Sequence, residues 1–210
     1  MPDVDRSEEA FEASVKTILT TFGVFTGFAI KSAIDAIQFP ASPSWWAFLD
    51  LLKDSHLFVG IATVALLLRF IIGSAVHLNL CYVVEPRSAK PVMLFKDLAF
   101  LIIFGLLAVF MIKAGDDVPA FAMRASLFVL IGLIWSGIDA LARAGQTGGE
   151  KSLFSGEWIL IDFGQLAVIS LVLYKIHDAW WQAFLLAAGF VLALYLDMRI
   201  VLAAKKPAPP

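Results

Sequence analysis

The chain has 210 residues, of which 60% are hydrophobic and 16% charged, with a formal net charge of −2 and a mean hydropathy of +0.84. Soluble domains carry about 25% charged and about 45–50% apolar residues, so this composition indicates an integral membrane protein. The lack of a basic excess argues against a nucleic-acid partner, and the single cysteine, Cys81, excludes an intramolecular disulfide framework.

The N-terminal segment, residues 1–16, is acidic where a signal peptide would be basic, so we expect the first apolar run to stay in the mature protein. Six apolar segments follow, each long enough for a helix to cross a hydrocarbon core of about 30 Å. They cover about 17–38, 57–82, 95–114, 119–142, 158–176 and 179–203. We expect one transmembrane domain over 17–203, preceded by a cytoplasmic segment and followed by a disordered tail, 204–210.

The order of the segments favours an all-α fold of three helical hairpins, formed by helices 1–2, 3–4 and 5–6. The last two segments are separated only by residues 175–178, and the alternative is one bent helix of about 46 residues, which is too long for a single crossing. The second and third hairpins share a faint pattern of aspartate, lysine and aspartate, which indicates either a repeat of the kind found in transporters or chance. The two sets are Asp97, Lys113 and Asp139, and Asp162, Lys175 and Asp197.

The distribution of lysine and arginine predicts that both termini are cytoplasmic, because basic residues concentrate in cytoplasmic loops. In this orientation only Lys53, Lys113 and Lys175 lie on the outer side, together with the pairs Trp45-Trp46 and Trp180-Trp181. Residues 44–55 alternate apolar and polar side chains at helical spacing, which favours a short interfacial helix between helices 1 and 2. An ordinary loop with scattered aromatic residues is the alternative. The cytoplasmic set is Arg6, Lys16, Arg87, Lys90, Lys96, Arg143, Lys151, Arg199, Lys205 and Lys206.

Helix 1 carries a polar and small-residue stripe at a spacing of four, formed by Gly23, Gly27, Lys31 and Asp35. The two glycines allow another helix to approach closely, either within the bundle or in a homo-oligomer. Lys31 and Asp35 can pair with each other, as a structural ion pair or as part of a transport path.

Helix 2 places Arg69 close to the bilayer centre, where an arginine costs about 2.5–3.5 kcal/mol on insertion scales. It should therefore face the protein interior or water and pair with a carboxylate. Asp162, Asp139 and Asp35 are the candidates by depth, in that order. Arg69 is either part of a substrate path or a clamp between helices, and His77 lies on the same face and titrates near neutral pH when unperturbed.

Four aspartates, Asp97, Asp139, Asp162 and Asp197, lie toward the cytoplasmic ends of their helices. They form either a ring of interfacial salt bridges, each worth little when wet, or an acidic vestibule that concentrates cations or relays protons. A water-filled cavity reaching Arg69 would favour a transport function, and charges all satisfied in a dry core would favour a non-transporting membrane component.

Catalytic and metal-binding signatures are missing from the sequence. His56, His77 and His177 are far apart, no second cysteine accompanies Cys81, and no nucleotide or nucleophile motif occurs. We therefore expect neither an enzyme nor a cofactor or metal site. The favoured function is a small membrane transport protein, a channel or carrier for a small ion or polar solute. Its path or buried ion pairs would use Lys31, Asp35, Arg69, His77, Asp139, Asp162 and Asp197. The alternative is a membrane scaffold, sensor or assembly subunit.

Overall fold

The computed structural model describes residues 2–35, 37, 45–79, 81–82, 91–114, 117–144 and 155–204. Its elements are α1 (Pro2–Asp35), α2 (Trp45–Leu51), α3 (Ser55–Asn79), α4 (Pro91–Ile112), α5 (Val118–Ala144), α6 (Ser155–Lys175) and α7 (Ala179–Ala204). Over these residues the fold is all-helical, and the six helices other than α2 are long and apolar enough to cross a membrane. The structure is therefore consistent with an integral multi-pass membrane protein, as expected.

The helix boundaries differ most from the predicted segments at the starts of two helices. The first helix begins at Pro2, so that the acidic segment before the first apolar run is helical as well. The helix α4 begins at Pro91, ahead of the predicted start at 95, and proline is well suited to the first position of a helix. A break at residues 176–178 separates α6 from α7, which excludes one bent helix there. Residues 205–210 of the predicted tail 204–210, and residues 83–90 and 145–154, lie outside the described residues.

Three of the helices begin after an aspartate that caps their free backbone amides. Asp54 Oδ1 accepts a hydrogen bond from the amide of His56 at the start of α3. Asp117 Oδ1 does the same for the amide of Ala120 in α5, and Asp178 Oδ1 for the amide of Trp181 in α7. An N-cap of this kind is worth about 1 kcal/mol, and here it defines the start of each helix that follows a short turn.

Helix α3 lies at the centre of the bundle and is the most buried of the six long helices. It packs extensively against α7 and also contacts α1, α4 and α5, while α5 packs against α4 and α6, and α6 against α7. Some helices that are consecutive in the chain therefore pack against each other, but the largest contact between two helices is that of α3 with α7. The fully buried apolar side chains come from all six long helices and include Val15; Ala62, Leu66 and Leu67; Phe104 and Met111; Phe121 and Ala125; Ile169 and Val172; Leu186 and Phe190.

The residue that follows the short helix α2 contacts the beginning of α7. The indole Nε1 of Trp180 donates a hydrogen bond to the carbonyl oxygen of Leu52 at 2.9 Å, directly after the end of α2. Trp180 also packs edge-on against Phe58 in the first turn of α3. Trp45 and Trp46 are largely exposed. The segment between the first two long helices therefore contains a helix, in the region where the sequence predicts one.

Candidate functional site

Arg69 lies in the middle of α3 with only 8% of its surface exposed, and its guanidinium contacts three polar side chains from α6 and α7. Its Nη1 donates to Asp162 Oδ1 at 2.6 Å and to Gln165 Oε1, and its Nε donates to Asp197 Oδ2 at 2.5 Å. We call these four residues the Arg69 cluster. Asp162 was the first candidate partner on sequence grounds, and Asp197 is the second carboxylate that the structure brings to the arginine.

The helices determine the geometry of the Arg69 cluster. Asp162 and Gln165 are three residues apart on α6, so they project from the same face of that helix. Asp197 comes from α7, which packs along α3. A planar guanidinium presents several N–H donors in a fixed fork, which allows one arginine to hold side chains from two helices at once.

Charge and hydrogen bonding are incompletely balanced in the Arg69 cluster. One guanidinium faces two carboxylates, so the ionised cluster carries one negative charge in excess. Within the described part of the chain, Asp197 Oδ1 and Gln165 Nε2 are buried without a hydrogen-bond partner. An unsatisfied buried polar atom costs about 1–3 kcal/mol, and more when it is charged. The cluster is therefore suited to accept a further proton or cation.

A cavity of about 70 Å³ adjoins the Arg69 cluster and is lined by Arg69, Asp162 and Asp197 as well as by Ser74 and Ser136. A water molecule occupies about 30 Å³ in the liquid, so the cavity has room for one or two waters or a small cation. Its remaining wall is mostly apolar and aromatic. The buried carboxylates of Asp162 and Asp197 therefore face a small space that also has polar groups from other helices.

A second polar cluster surrounds His77, near the C-terminal end of α3. The imidazole Nε2 lies 3.0 Å from Asp139 Oδ2 and 3.3 Å from Asp97 Oδ2. Lys96 Nζ lies 3.0 Å from Asp97 Oδ1 and contacts Asp139 Oδ1 as well. The two carboxylates are thus held between an ammonium on one edge and an imidazole on the other. We call His77, Lys96, Asp97 and Asp139 the His77 cluster.

Asp97 is the most strongly held carboxylate of the His77 cluster, with 1% of its surface exposed. Its Oδ2 accepts a hydrogen bond from the Tyr82 hydroxyl at 2.6 Å, and its Oδ1 accepts one from Trp135 Nε1 at 2.9 Å. Burial raises the pKa of Tyr82 above its ordinary value, and the Asp97 carboxylate raises it further, so the phenol remains a hydrogen-bond donor at neutral pH. The sequence does not indicate Tyr82 or Trp135 as site residues, because they are neutral and do not stand out among the charged residues of the apolar segments.

The two clusters share one design. In each, α3 provides a basic side chain, Arg69 or His77, and two helices consecutive in the chain provide one aspartate each. These four aspartates are also the aspartates of the faint repeat in the sequence, whose lysines, Lys113 and Lys175, belong to neither cluster. Trp135 links the clusters, because it lines the cavity beside Arg69 and donates its N–H to Asp97.

Lys31 and Asp35 pair with each other on α1, with side-chain exposures of 69% and 59%. The described contacts do not join them to either cluster. On the same helix, a Cβ atom added to Gly23 or Gly27 would meet nothing within 4 Å, so both glycines lie on an open face of the chain.

Asp139, a candidate partner of Arg69 on sequence grounds, contacts His77 and Lys96 instead.

The residues able to hold a metal ion in the described part of the chain are His77, Asp97 and Asp139, whose ligand atoms all lie within 4.8 Å of one another. Sequence spacing could not indicate this set, because each residue comes from a different helix. Gln165 was also missed, although its position three residues after Asp162 places it on the same helix face.

The six long apolar helices are consistent with an integral multi-pass membrane protein, and two buried clusters of ionisable side chains lie around the central helix α3. Comparisons with protein families, with curated proteins and with solved structures found no match to this chain.

Proposed function

We propose that this chain is a membrane transport protein for a small cation, protons included, and that the Arg69 cluster is its binding site within the membrane. The observation that carries this proposal is the buried Asp197 Oδ1, which has no hydrogen-bond partner among the described residues and belongs to a side chain that lines a small cavity. Intramembrane ionisable residues are costly and typically mark ion or proton pathways.

The charge of the Arg69 cluster supports a cation as the transported species. An uncompensated negative charge in a low-dielectric region is strongly unfavourable, so a proton or small cation that binds there gains a large electrostatic stabilisation. Arg69 remains charged under all ordinary conditions and holds both carboxylates in place. It also weakens their attraction for a cation, and transport requires binding weak enough to permit release.

The expected result is that purified protein in liposomes conducts or exchanges at least one small cation, and that Asp197→Asn lowers this flux by about tenfold or more. Loss of one carboxylate charge at about 4 Å is worth several kcal/mol at an intermediate dielectric, and 1.4 kcal/mol already equals tenfold. Proton flux is measured with an enclosed pH-sensitive dye at a clamped membrane potential. Sodium and potassium fluxes are measured with radioactive tracers.

The matched control is Asp50→Asn, the same substitution in an exposed ion pair with Lys53, which should leave the flux unchanged. Asp35→Asn tests whether α1 belongs to the path, because Asp35 and Lys31 were expected along it. Absence of flux for every small cation from mildly acid to mildly alkaline pH would contradict the proposal. It would favour a scaffold, sensor or assembly subunit whose charges only join helices.

The proposed arrangement in the membrane has both termini in the cytoplasm, the six long helices as three hairpins (α1–α3, α4–α5 and α6–α7), and α2 on the outer surface. The bond from Trp180 to the carbonyl of Leu52 supports this, because it joins the end of α2 to the outer end of α7 in that orientation. The basic residues of the loops support it independently.

Topology is tested with single cysteines in a Cys81→Ser background. Cysteines at Ser42 and Gly115 should react with an impermeant thiol reagent added outside intact cells, and cysteines at Ser88 and Gly148 should react only after the cells are opened. All four positions lie outside the described residues and in predicted loops, so the substitutions should not disturb the helices. The reverse labelling pattern would invert the orientation.

A homo-oligomer is a further part of the proposal, with Gly23 and Gly27 of α1 as the contact. Both glycines lie on an open face, and a GxxxG pair allows close approach of a second helix. Gly27→Leu should lower the oligomer fraction in cross-linking of native membranes. An unchanged fraction would place the contact elsewhere or exclude it.

A further inference from the structure

We propose that His77, Asp97 and Asp139 form a binding site for one divalent transition-metal ion, with Zn²⁺ and Mn²⁺ as representative ions. The site is separate from the Arg69 cluster, and binding of the ion does not depend on transport. Imidazole and carboxylate ligands together suit Zn²⁺, Mn²⁺ and Fe²⁺, whereas Mg²⁺ and Ca²⁺ prefer sites made of oxygen ligands alone.

The distances between the three ligand atoms fit a bound ion. His77 Nε2 lies 3.0 Å from Asp139 Oδ2 and 3.3 Å from Asp97 Oδ2. A metal bound at about 2.0–2.2 Å to each ligand separates neighbouring ligand atoms by roughly 3.0–3.5 Å. His77 Nε2 therefore stands at the spacing of metal ligands from both carboxylate oxygens, and all three ligand atoms lie within 4.8 Å of one another.

A hydrogen bond from His77 alone accounts poorly for the presence of two carboxylate oxygens beside its Nε2 atom. The Nε2 atom carries at most one proton, and a single N–H donates well to one acceptor at a time. Here it faces two carboxylate oxygens from two different helices. A cation placed between the three atoms satisfies both oxygens and the imidazole lone pair together.

The surroundings of the site resemble those of protein metal centres, in which the ligating carboxylates are themselves hydrogen-bonded. Tyr82 and Trp135 donate to Asp97, which fixes the orientation of that carboxylate. Lys96 contacts the Oδ1 atoms of both aspartates, on the edge away from His77.

The test measures metal bound to the purified, tag-free full chain in detergent. The chain has three histidines, so the variant His56→Gln/His177→Gln retains His77 as its single imidazole. After dialysis against Zn²⁺ or Mn²⁺ and removal of excess ion, this variant should hold about one ion per chain by elemental analysis. Bound Mn²⁺ should show magnetic coupling to one imidazole nitrogen, and Mg²⁺ should not compete effectively.

Substitutions within the site should change the affinity in two directions. His77→Gln and Asp139→Asn should abolish binding, and Trp135→Phe should weaken it by about tenfold to a hundredfold, because it frees the Asp97 carboxylate. Lys96→Met should strengthen binding, because a competing cation is removed from both carboxylates. The matched control is Asp54→Asn in the chain that keeps its three histidines, the same substitution at an aspartate whose Oδ1 lies 3.9 Å from His56 Nε2.

Two outcomes would overturn the metal site. One is the absence of bound Zn²⁺ and Mn²⁺ from the single-histidine variant, or Mn²⁺ bound without coupling to a nitrogen. The other is an affinity that His77→Gln and Asp139→Asn leave unchanged in folded protein. Both can be judged from binding alone, so a failure here leaves the cation flux through the Arg69 cluster untouched, and absence of flux leaves the metal site untouched.

Discussion

Replacing Arg69 by leucine is expected to destabilise the folded protein by about 3–5 kcal/mol, because removal of one partner leaves the others buried without compensation. Asp162 and Asp197 lose the cation between them, and Gln165 loses its donor. The change in unfolding free energy is measured in mixed micelles, by titration with a denaturing detergent. The matched control is Arg124→Leu, an arginine in α5 that lies over the Phe110 ring and donates to the Phe110 carbonyl, and it should cost less than about 1 kcal/mol.

Removal of the carboxylates should then restore part of the unfolding free energy that Arg69→Leu loses. Arg69→Leu/Asp197→Asn is expected to be more stable than Arg69→Leu alone. Adding Asp162→Asn should bring the stability closer still to that of the original protein, because no charge of the cluster then stays buried. Substitutions in direct contact do not add, so this recovery measures the coupling within the cluster. If Arg69→Leu costs no more than Arg124→Leu, the cluster does not hold the helices together.

Most of the fold could be predicted because apolar length determines whether a helix can span a bilayer. Hydropathy identifies the long helices but does not show where a helix continues into polar sequence. For this reason the helical segment from Pro2 was missed, since its acidic residues carry no apolar signal. Hydropathy likewise predicts a start at 95 for the third segment, whereas α4 begins at Pro91, because proline suits the first position of a helix.

The candidate site was predictable only in part. The depth of Arg69 on its helix required a carboxylate partner, and depth alone ranked Asp162 first. The presence of Asp197 depends on α7 packing along α3, a contact between distant segments that the order of the helices does not determine. Tyr82 and Trp135 are amphipathic side chains in apolar surroundings, so nothing in their spacing distinguishes them from core residues.

Replacing Asp97 by alanine is expected to cost about 3–5 kcal/mol, because this carboxylate joins four side chains. Tyr82 and Trp135 would lose their acceptor, and Lys96 and His77 would lose one of their two carboxylates. Asp97→Asn keeps the shape and one acceptor oxygen, so it should cost less, about 1–3 kcal/mol. The measurement is again unfolding in mixed micelles, here with a metal chelator present, so that loss of a bound ion does not contribute.

A double-mutant cycle separates the Trp135 hydrogen bond from the rest of the Asp97 contacts. Trp135→Phe removes the indole N–H while keeping an aromatic ring against His77 and Phe100. The cycle of Asp97→Asn with Trp135→Phe should give a coupling energy of about 0.5–3 kcal/mol, as expected for residues in contact. Asp50→Ala, in the exposed pair with Lys53, should change stability by no more than about 0.5 kcal/mol. A cost of Asp97→Ala as small as that of Asp50→Ala would mean that the carboxylate is solvated and that its contacts hold little of the bundle together.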